Sequence, residues 1–236
     1  MVAPLLLPVA AATAALTLKS DTQPLKIYVK KPRGTLYWGG AGLDGKYIAL
    51  QLAALQARGI GNLSVGATNT ATHYLPGRTK FAGTFVDAFR AGLVIRYEDD
   101  GEWVLTAGMD AKEGQFNMIG YSYGSLLAAQ TANFYAGRGH VVDHLVLIAS
   151  PIDLAFLHKL RSHRNIKNVT VIDLRAMGDK IYAGISQADL LQAIPVLGQQ
   201  FSSGRAEGHF YYAQIITDSP RRWNVLAQSL YEAGLR

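Results

Sequence analysis

Short, nearly continuous apolar runs recur along this sequence, at residues 115–120 (QFNMIG), 144–150 (HLVLIAS) and 168–176 (NVTVIDLRA). Such runs are typical of parallel β-strands that are covered by other elements on both faces. Helical apolar periods lie between and around them, for example at residues 44–59 and 220–234. Strands that alternate with helices predict an α/β fold, with a mostly parallel sheet and helices on both faces.

The remaining elements are predicted from shorter patterns. Residues 25–31 alternate as a strand does, residues 34–42 indicate a strand that runs into a glycine turn, and residues 62–67 indicate a short strand. Residues 80–92 have a helical pattern. Residues 93–107 predict a hairpin that turns at Asp-Asp-Gly.

A chain of 236 residues with 49% hydrophobic and 17% charged residues can bury one sizeable core. We therefore predict a single domain at residues 25–236, preceded by an apolar arm at residues 1–24. Residues 2–18 carry no charge, so a secretory signal, and with it an extracytoplasmic location, is the competing interpretation. No Lys or Arg precedes the apolar run, and Pro4 and Pro8 interrupt a helix, which favours the arm and leaves the compartment open.

The net charge of +6 favours anionic partners, and peripheral contact with a membrane is one prediction from it. The Lys and Arg residues are scattered without the interleaved aromatic residues of a nucleic-acid module, so no nucleic-acid partner is predicted. The sequence has no cysteine, which excludes disulfides and thiolate metal sites. It has neither a HExxH pattern nor a phosphate-binding P-loop, so no metal and no cofactor are predicted.

A serine stands between two tyrosines and two glycines in the sequence GYSYG, residues 120–124. An apolar strand precedes this G-x-S-x-G pattern and an alanine-rich helical pattern follows it, which is the setting of a nucleophile elbow. The two glycines remove side chains that would collide with the neighbouring strand and helix. The turn therefore predicts Ser122 as a nucleophile whose Oγ points out of the sheet, with the Tyr123 N–H at the positive end of a helix.

In this elbow the chain resembles the α/β-hydrolase family, the serine esterases and lipases. The family order is Ser, then Asp or Glu after a later strand, then His near the C-terminus. Asp179 lies in a glycine-containing loop beyond a predicted strand, and His209 follows a glycine near the C-terminus, so both match that order. The resemblance implies a triad of Ser122, His209 and Asp179 that works through an acyl-enzyme.

Other acids and histidines stay open as weaker candidates. Asp153 follows the preceding strand, where some members of the family carry the acid, whereas Asp173 is predicted inside a strand and directed at the core or a helix. A structural or solvated role is predicted for the histidines other than His209. These are His73, His140, His144, His158 and His163.

The tetrahedral intermediate of acyl transfer also needs N–H donors at its oxyanion. Tyr123 is the first predicted donor, and the family supplies a second from the loop after an earlier strand, often in a His-Gly motif. This sequence has YWGGAG at residues 37–42, with Trp38 where that histidine would stand, so the match is partial. Its glycines let the backbone approach a substrate, and Ala41 is the predicted second donor, with a plain glycine turn as the competing interpretation.

The substrate is predicted by analogy, because a fold does not determine a function. The basic charge and the apolar arm favour a lipid or phospholipid ester, and bacterial lipase effectors show the same kind of elbow. Residues 185–201 form a predicted helix that is either a lid or a sheet-covering helix. Aromatic residues near the predicted site either suit an apolar acyl chain or serve packing. They are Trp38, Tyr121, Tyr123, Phe210, Tyr211 and Tyr212.

Two other classes of function are alternatives to a serine esterase or lipase. A thioesterase or a peptidase on the same fold would use the same three side chains. A non-catalytic, hydrolase-like binding protein is the alternative from a different class, and the presence of Ser, Asp and His in the family order argues against it.

Overall fold

A computed structural model describes residues 27–29, 33–40, 46–61, 63–65, 103–105 and 114–236. The strands in these residues are β1 (Ile27–Val29), β2 (Gly34–Trp38), β3 (Leu63–Val65), β4 (Trp103–Leu105), β5 (Phe116–Tyr121), β6 (Val142–Ile148) and β7 (Ile166–Ile172). The α-helices are α1 (Lys46–Ala57), α2 (Tyr123–Gly137), α3 (Leu154–Arg161), α4 (Gln187–Ser203) and α5 (Ser219–Glu232). Short 3₁₀ turns lie at Arg175–Met177 and Gly208–Phe210.

The main sheet has five strands in the order β3-β2-β5-β6-β7, and every neighbouring pair in it is parallel. Strands β1 and β4 pair with each other, also in parallel. The predicted α/β fold with a mostly parallel sheet is therefore confirmed, and it is an α/β-hydrolase-like fold. Nearly continuous apolar strands revealed it in the sequence because both faces of such a sheet are buried.

Successive side chains of β5 contribute to two hydrophobic clusters in the described residues, one on each face of the sheet. Ile119 and Tyr121 of β5 belong to a cluster that α1 and α5 cover, through residues such as Tyr47 and Trp223. Met118, on the opposite face of β5, belongs to the cluster under α2 and α3. This alternation follows from the period of two residues in a strand, and it places helices on both faces of the sheet.

The chain order reverses between β2 and β5, which are neighbours at the centre of the sheet. From β2 the chain goes outward to β3 on one side, whereas from β5 it goes outward to β6 and then β7 on the other. Crevices at the carboxyl ends of parallel strands form at such a reversal, and ligands of open α/β sheets bind there. The turn that contains Ser122 follows β5, so the fold places it beside this crevice.

Several predicted elements lie outside the described residues. They are the arm at residues 1–24, the helix at residues 80–92 and the part of the 93–107 hairpin other than Trp103–Leu105. No helix within the described segments is both long enough and apolar enough to span a bilayer.

His144 of β6 is buried at the amino end of the sheet, next to Gly234, and its Nδ1 has no hydrogen-bond partner among the described residues. Burial lowers the pKa of His144, the charges of Lys167 and Arg236 lower it further, and Asp143 opposes them. The unfolded chain therefore binds more protons than the folded protein once the pH falls below the ordinary histidine value of about 6.5. We expect the free energy of unfolding to decrease as the pH falls from 7 towards 5.

The His144→Leu variant tests this expectation, because it removes the titrating group. Its melting temperature should depend less on pH over this range than that of the unsubstituted protein. His158→Leu, at an exposed histidine of α3, is the control and should keep the original pH dependence. Equal pH dependence in both variants would show that protonation of His144 does not destabilise the fold.

Candidate active site

Ser122 lies on a sharp turn between β5 and α2, with φ 54° and ψ −125°. A residue other than glycine is strained at positive φ, at a cost of about 1–3 kcal/mol, so the surrounding contacts must hold its backbone in place. The Ser122 N–H donates to Ile148 O of the neighbouring strand, at 2.8 Å. A Cβ on Gly120 would lie 2.4 Å from Gly124 O, and one on Gly124 would lie 2.2 Å from Gly39 O. The helix can approach the sheet this closely only because both positions are glycine.

Two buried serines, Ser125 and Ser150, form hydrogen bonds that hold the turn in place. The Ser125 hydroxyl donates to Ser122 O, and the Ser125 N–H donates to the same oxygen at 3.0 Å. Ser150, just after β6, has its Oγ 2.7 Å from Ser125 Oγ and accepts from the Ile152 N–H at 3.3 Å. This network joins the strained turn to the end of the next strand, which is how the fold retains the strained backbone.

The three residues of the predicted triad lie together at the carboxyl end of the sheet. Ser122 Oγ is 2.6 Å from His209 Nε2, and His209 Nδ1 is 2.9 Å from Asp179 Oδ2. A carboxylate only accepts hydrogen bonds, so His209 Nδ1 carries the proton and donates to Asp179. Nε2 is then the acceptor for the Ser122 hydroxyl, which is the tautomer required to remove its proton.

The three side chains differ in the fraction of their surface that is exposed to solvent. Asp179 is 2% exposed and His209 is 6% exposed, whereas Ser122 is half-buried. The pair of His209 and Asp179 is therefore shielded from water, which strengthens its electrostatic interaction. The serine is the member of the set that a substrate can reach.

The loop after β7 holds the acid. Asp179 Oδ1 accepts from the Ile181 N–H at 2.8 Å, while its Oδ2 faces His209. Asp153, the second candidate, caps α3 by accepting from the Phe156 N–H at 2.7 Å, which is a structural role. Asp173 was predicted inside a strand and directed at the core or a helix, and this is wrong. β7 ends at Ile172, so Asp173 is exposed and pairs with the neighbouring Arg175.

No strand follows β7 in the described residues, so side chains rather than a sheet hold the loop that carries His209. The carbonyls at 206, 209, 211 and 212 all accept hydrogen bonds from side chains of other elements. The donors are Tyr121, which bonds His209 O, Arg222, which bonds Ala206 O and Tyr211 O, and Gln51 and Trp223, which both bond Tyr212 O. Each carbonyl has a fixed position as a result, and the histidine is oriented without an adjacent strand.

Tyr121 contacts His209 through both its hydroxyl and its ring. Its hydroxyl donates to His209 O, and its ring stacks on that of His209 with a centroid separation of 6.0 Å. Burial raises the pKa of Tyr121 well above its ordinary value, and Tyr47 and Asp179 raise it further. The hydroxyl therefore remains protonated, and remains a donor, throughout the pH range in which a histidine acts as a base.

Gly40, shortly after the end of β2, lies close to the serine. A Cβ on Gly40 would lie 3.4 Å from Ser122 Cβ, so the backbone is in contact range of the nucleophile. The Gly40 N–H donates to Tyr47 Oη at 2.9 Å. Tyr123, the other predicted oxyanion donor, is the first residue of α2, at the positive end of that helix. Ala41, the predicted second donor, lies outside the described residues.

Most of the aromatic residues that the sequence placed near the site pack in the cores. The buried ones are Trp38, Tyr121, Phe210 and Tyr212, and the half-buried ones are Tyr123 and Tyr211. Helix α4 covers the loop after β7 that carries Asp179. There Leu190 and Ala193 of the helix pack against Ile181 and Ile185. In this arrangement α4 is packed on the site rather than separated from it.

The other histidines in the described residues lie in other parts of the fold. His140 precedes β6, His144 lies within it, His158 lies in α3, and His163 Nδ1 accepts from the Asn165 N–H. His73 lies outside the described residues. Within the described part of the chain, no group of three His, Asp or Glu side chains is arranged to hold a metal ion.

Comparison with known families gives one match. Residues 109–199 match the family model of the Thioesterase domain. This stretch is less than half of the chain and includes Ser122 and Asp179, but it ends before His209. Thioesterase domains are α/β hydrolases, so the match agrees with the fold and indicates a hydrolase of esters or thioesters. Comparisons with curated proteins and with solved structures gave no match.

The sequence did not reveal the residues that hold the site in place. Ser125, Ser150, Gln200 and Arg222 hold it through side-chain hydrogen bonds that no sequence pattern indicates. The only signal in the sequence was the general rule that a glutamine or serine buried next to a site must form hydrogen bonds. Without the fold, nothing distinguished these residues from others of their type.

Proposed function

We propose that this protein is a serine hydrolase that cleaves acyl thioesters, with Ser122 as nucleophile, His209 as general base and Asp179 as the acid that orients it. The observation that carries the proposal is the hydrogen-bonded series from Ser122 through His209 to Asp179, at a strained turn between strand and helix. Structural ion pairs do not require a serine with positive φ at their end, whereas a nucleophile elbow does. The match to the Thioesterase domain supports a thioester as the substrate.

Acylation would begin when the Ser122 hydroxyl attacks the carbonyl carbon of the thioester. A new C–O bond forms, and the hydroxyl proton passes to His209 Nε2, 2.6 Å away. The imidazolium that results is stabilised by Asp179 through the Nδ1 proton. The Tyr123 N–H, at the positive end of α2, would stabilise the oxyanion, with Ala41 as the predicted second donor.

Collapse of the tetrahedral intermediate would break the C–S bond. The thiol leaves with the proton that His209 accepted, and the acyl group remains on Ser122 Oγ. A water molecule then attacks this ester and gives its own proton to His209 Nε2. Collapse of this second tetrahedral intermediate would break the C–O bond to Ser122, and His209 would return the proton to Ser122 Oγ. The carboxylic acid would then leave, so no cofactor is required.

A matched substrate series tests the proposal. The same acyl chains are presented as a thioester, an oxygen ester and an amide, at lengths from butanoyl to palmitoyl, and kcat/KM is measured for each. We expect the thioester to be the best substrate at the preferred length, by about tenfold or more over the oxygen ester, and the amide to be the poorest. The thiol product is measured with a thiol reagent, with Ser122→Ala as the blank.

Each rival class has its own outcome in this series. Preferential amide cleavage would replace the thioesterase by a peptidase, and a preference for oxygen esters would replace it by an esterase. Absence of turnover for every member would contradict the proposed enzyme and favour the non-catalytic binding protein.

A lipid or phospholipid ester, as in a lipase effector, stays a prediction from the sequence, and the long-chain oxygen esters of the series test it. Peripheral contact with a membrane is also a prediction. Co-sedimentation with anionic and with neutral vesicles tests that contact, because attraction to a basic surface requires the anionic lipid and weakens with salt.

A further inference from the structure

Gln200 lies in the last turn of α4. It is close to the loop that carries Asp179 (the acid loop) and to the loop that carries His209 (the histidine loop). It is 8% exposed, whereas its neighbour Gln199 is exposed to solvent. A primary amide that is buried costs free energy unless both of its ends form hydrogen bonds. Its partners are therefore informative.

Both ends of the Gln200 amide bond to backbone groups of the site. Gln200 Nε2 donates to Gly178 O at 2.9 Å, and Gln200 Oε1 accepts from the His209 N–H at 2.9 Å. Gly178 directly precedes Asp179 in the chain. One side chain thus joins the backbone of the acid loop to the backbone of the catalytic histidine, and only one orientation of the amide satisfies both bonds.

The histidine loop is built around this amide. Gly208, directly before His209, has φ 53°. A Cβ at that position would lie 2.1 Å from Gln200 Nε2 and 2.3 Å from its Oε1. The loop therefore runs against the flat amide at a distance that leaves no room for a side chain.

We propose that Gln200 is a positioning residue, which fixes the separation of Asp179 and His209 by holding the backbone next to both. The inference rests on the proposed function, since those two side chains are there assigned to catalysis. Gln200 does not contact Ser122 in the described hydrogen bonds, so it acts through His209. A displacement of about 1 Å in a catalytic group is enough to lower a rate by about two orders of magnitude.

The proposed role of Gln200 also bears on whether residues 185–201 are a lid or a sheet-covering helix. The carboxyl-terminal end of α4 is part of the support of the site, because Gln200 belongs to it. If this end of the helix moved away as a lid, the bonds to Gly178 and His209 would break. The catalytic pair would then lose its alignment, so this end of α4 stays in place during turnover.

The test compares Gln200→Met, which keeps the length of the side chain but removes both hydrogen bonds, with Gln199→Met on the same helix. We expect Gln200→Met to lower kcat by about 10- to 100-fold with KM changed less than about twofold, because substrate binding does not involve the amide. Gln199→Met should keep the original kcat and KM. Gln200→Glu keeps the acceptor for the His209 N–H and loses the donor for Gly178 O, so its kcat should lie between the two.

A spectroscopic measurement separates positioning from general destabilisation. The His209 Nδ1 proton, held at 2.9 Å from Asp179 Oδ2, should give a far-downfield proton resonance in protein labelled with ¹⁵N-histidine. We expect this resonance to be absent or broadened in Gln200→Met and present in Gln199→Met, at a temperature where both are folded. If Gln200→Met does not fold, Gln200→Glu carries the same comparison.

The outcomes distinguish this inference from the proposed function. Normal kcat and an intact Nδ1 resonance in Gln200→Met would overturn the positioning role and leave the serine hydrolase in place, as would an equal loss of kcat in Gln199→Met. If the unsubstituted protein does not form a covalent adduct at Ser122 with a serine-directed probe, the proposed function fails, and the role of Gln200 fails with it.

Discussion

The Ser122→Ala variant should lose about four to six orders of magnitude in kcat/KM for the best substrate, while it melts close to the temperature of the unsubstituted protein. We expect a large loss because the serine hydroxyl forms the covalent bond in the proposed mechanism, and no other hydroxyl is hydrogen-bonded to His209 Nε2 in the described residues. The fold should tolerate the change, because the contacts that hold the turn are made by the backbone of residue 122, at its N–H and its carbonyl.

The measurement is steady-state hydrolysis of the preferred acyl substrate, together with thermal unfolding of each variant. Ser202→Ala is the matched control, since the Ser202 hydroxyl is exposed and bonds only to carbonyls of its own helix. It should retain the original activity. Activity in Ser122→Ala within tenfold of the original value would show that another group is the nucleophile.

The second large effect is expected on stability, from Gly124→Ala. The added Cβ would lie 2.2 Å from Gly39 O and 2.6 Å from Trp38 O, and both of these atoms belong to the backbone that ends β2. Neither can move without separating α2 from the sheet. We therefore expect a loss of 4 kcal/mol or more in the free energy of unfolding, at the upper end of the range for single substitutions. If the stability of the unsubstituted protein lies near the lower limit of the ordinary range, about 5 kcal/mol, the folded state of the variant would be favoured by about 1 kcal/mol or less.

Gly198→Ala in α4 is the matched control, because a Cβ at that helical position has no heavy atom within 4 Å. It should raise the free energy of unfolding by about 0.5–1 kcal/mol, since alanine is the better helix former. Chemical denaturation of the three proteins measures both effects. Equal stability of the Gly124→Ala and Gly198→Ala variants would contradict the close approach of helix and sheet on which the elbow depends.

Local patterns allowed much of this fold to be predicted. The strands β5 and β6 are buried almost throughout, so their apolar runs are visible without any knowledge of their neighbours. The edge strand β7 is mostly half-buried or exposed, but it still carries the apolar run VTVI. The elbow is likewise local, because the two glycines and the serine that it needs lie within five residues, 120–124. The positions of Asp179 and His209 followed from the family order, and the structure brings their side chains to Ser122.

Other features depend on contacts that no local pattern contains. The end of β7 was misjudged because the apolar run VTVI continues directly into Asp173, whereas the pairing of β7 with β6 ends at Ile172. The loop around His209 has no strand beside it, and the side chains that replace the strand come from β5, α1, α4 and α5. Residues this far apart in sequence meet only once the fold exists.

Activation of Ser122 as a nucleophile is measured by mass spectrometry after reaction with a fluorophosphonate probe. We predict a single adduct, mapped to the peptide that contains Ser122, absent from Ser122→Ala and much slower to form in His209→Ala. The folded state of each variant is checked by circular dichroism before labelling. An adduct on a different residue would show that Ser122 is not the activated nucleophile. The absence of any adduct on the folded protein at neutral and mildly alkaline pH, with and without detergent, would show the same.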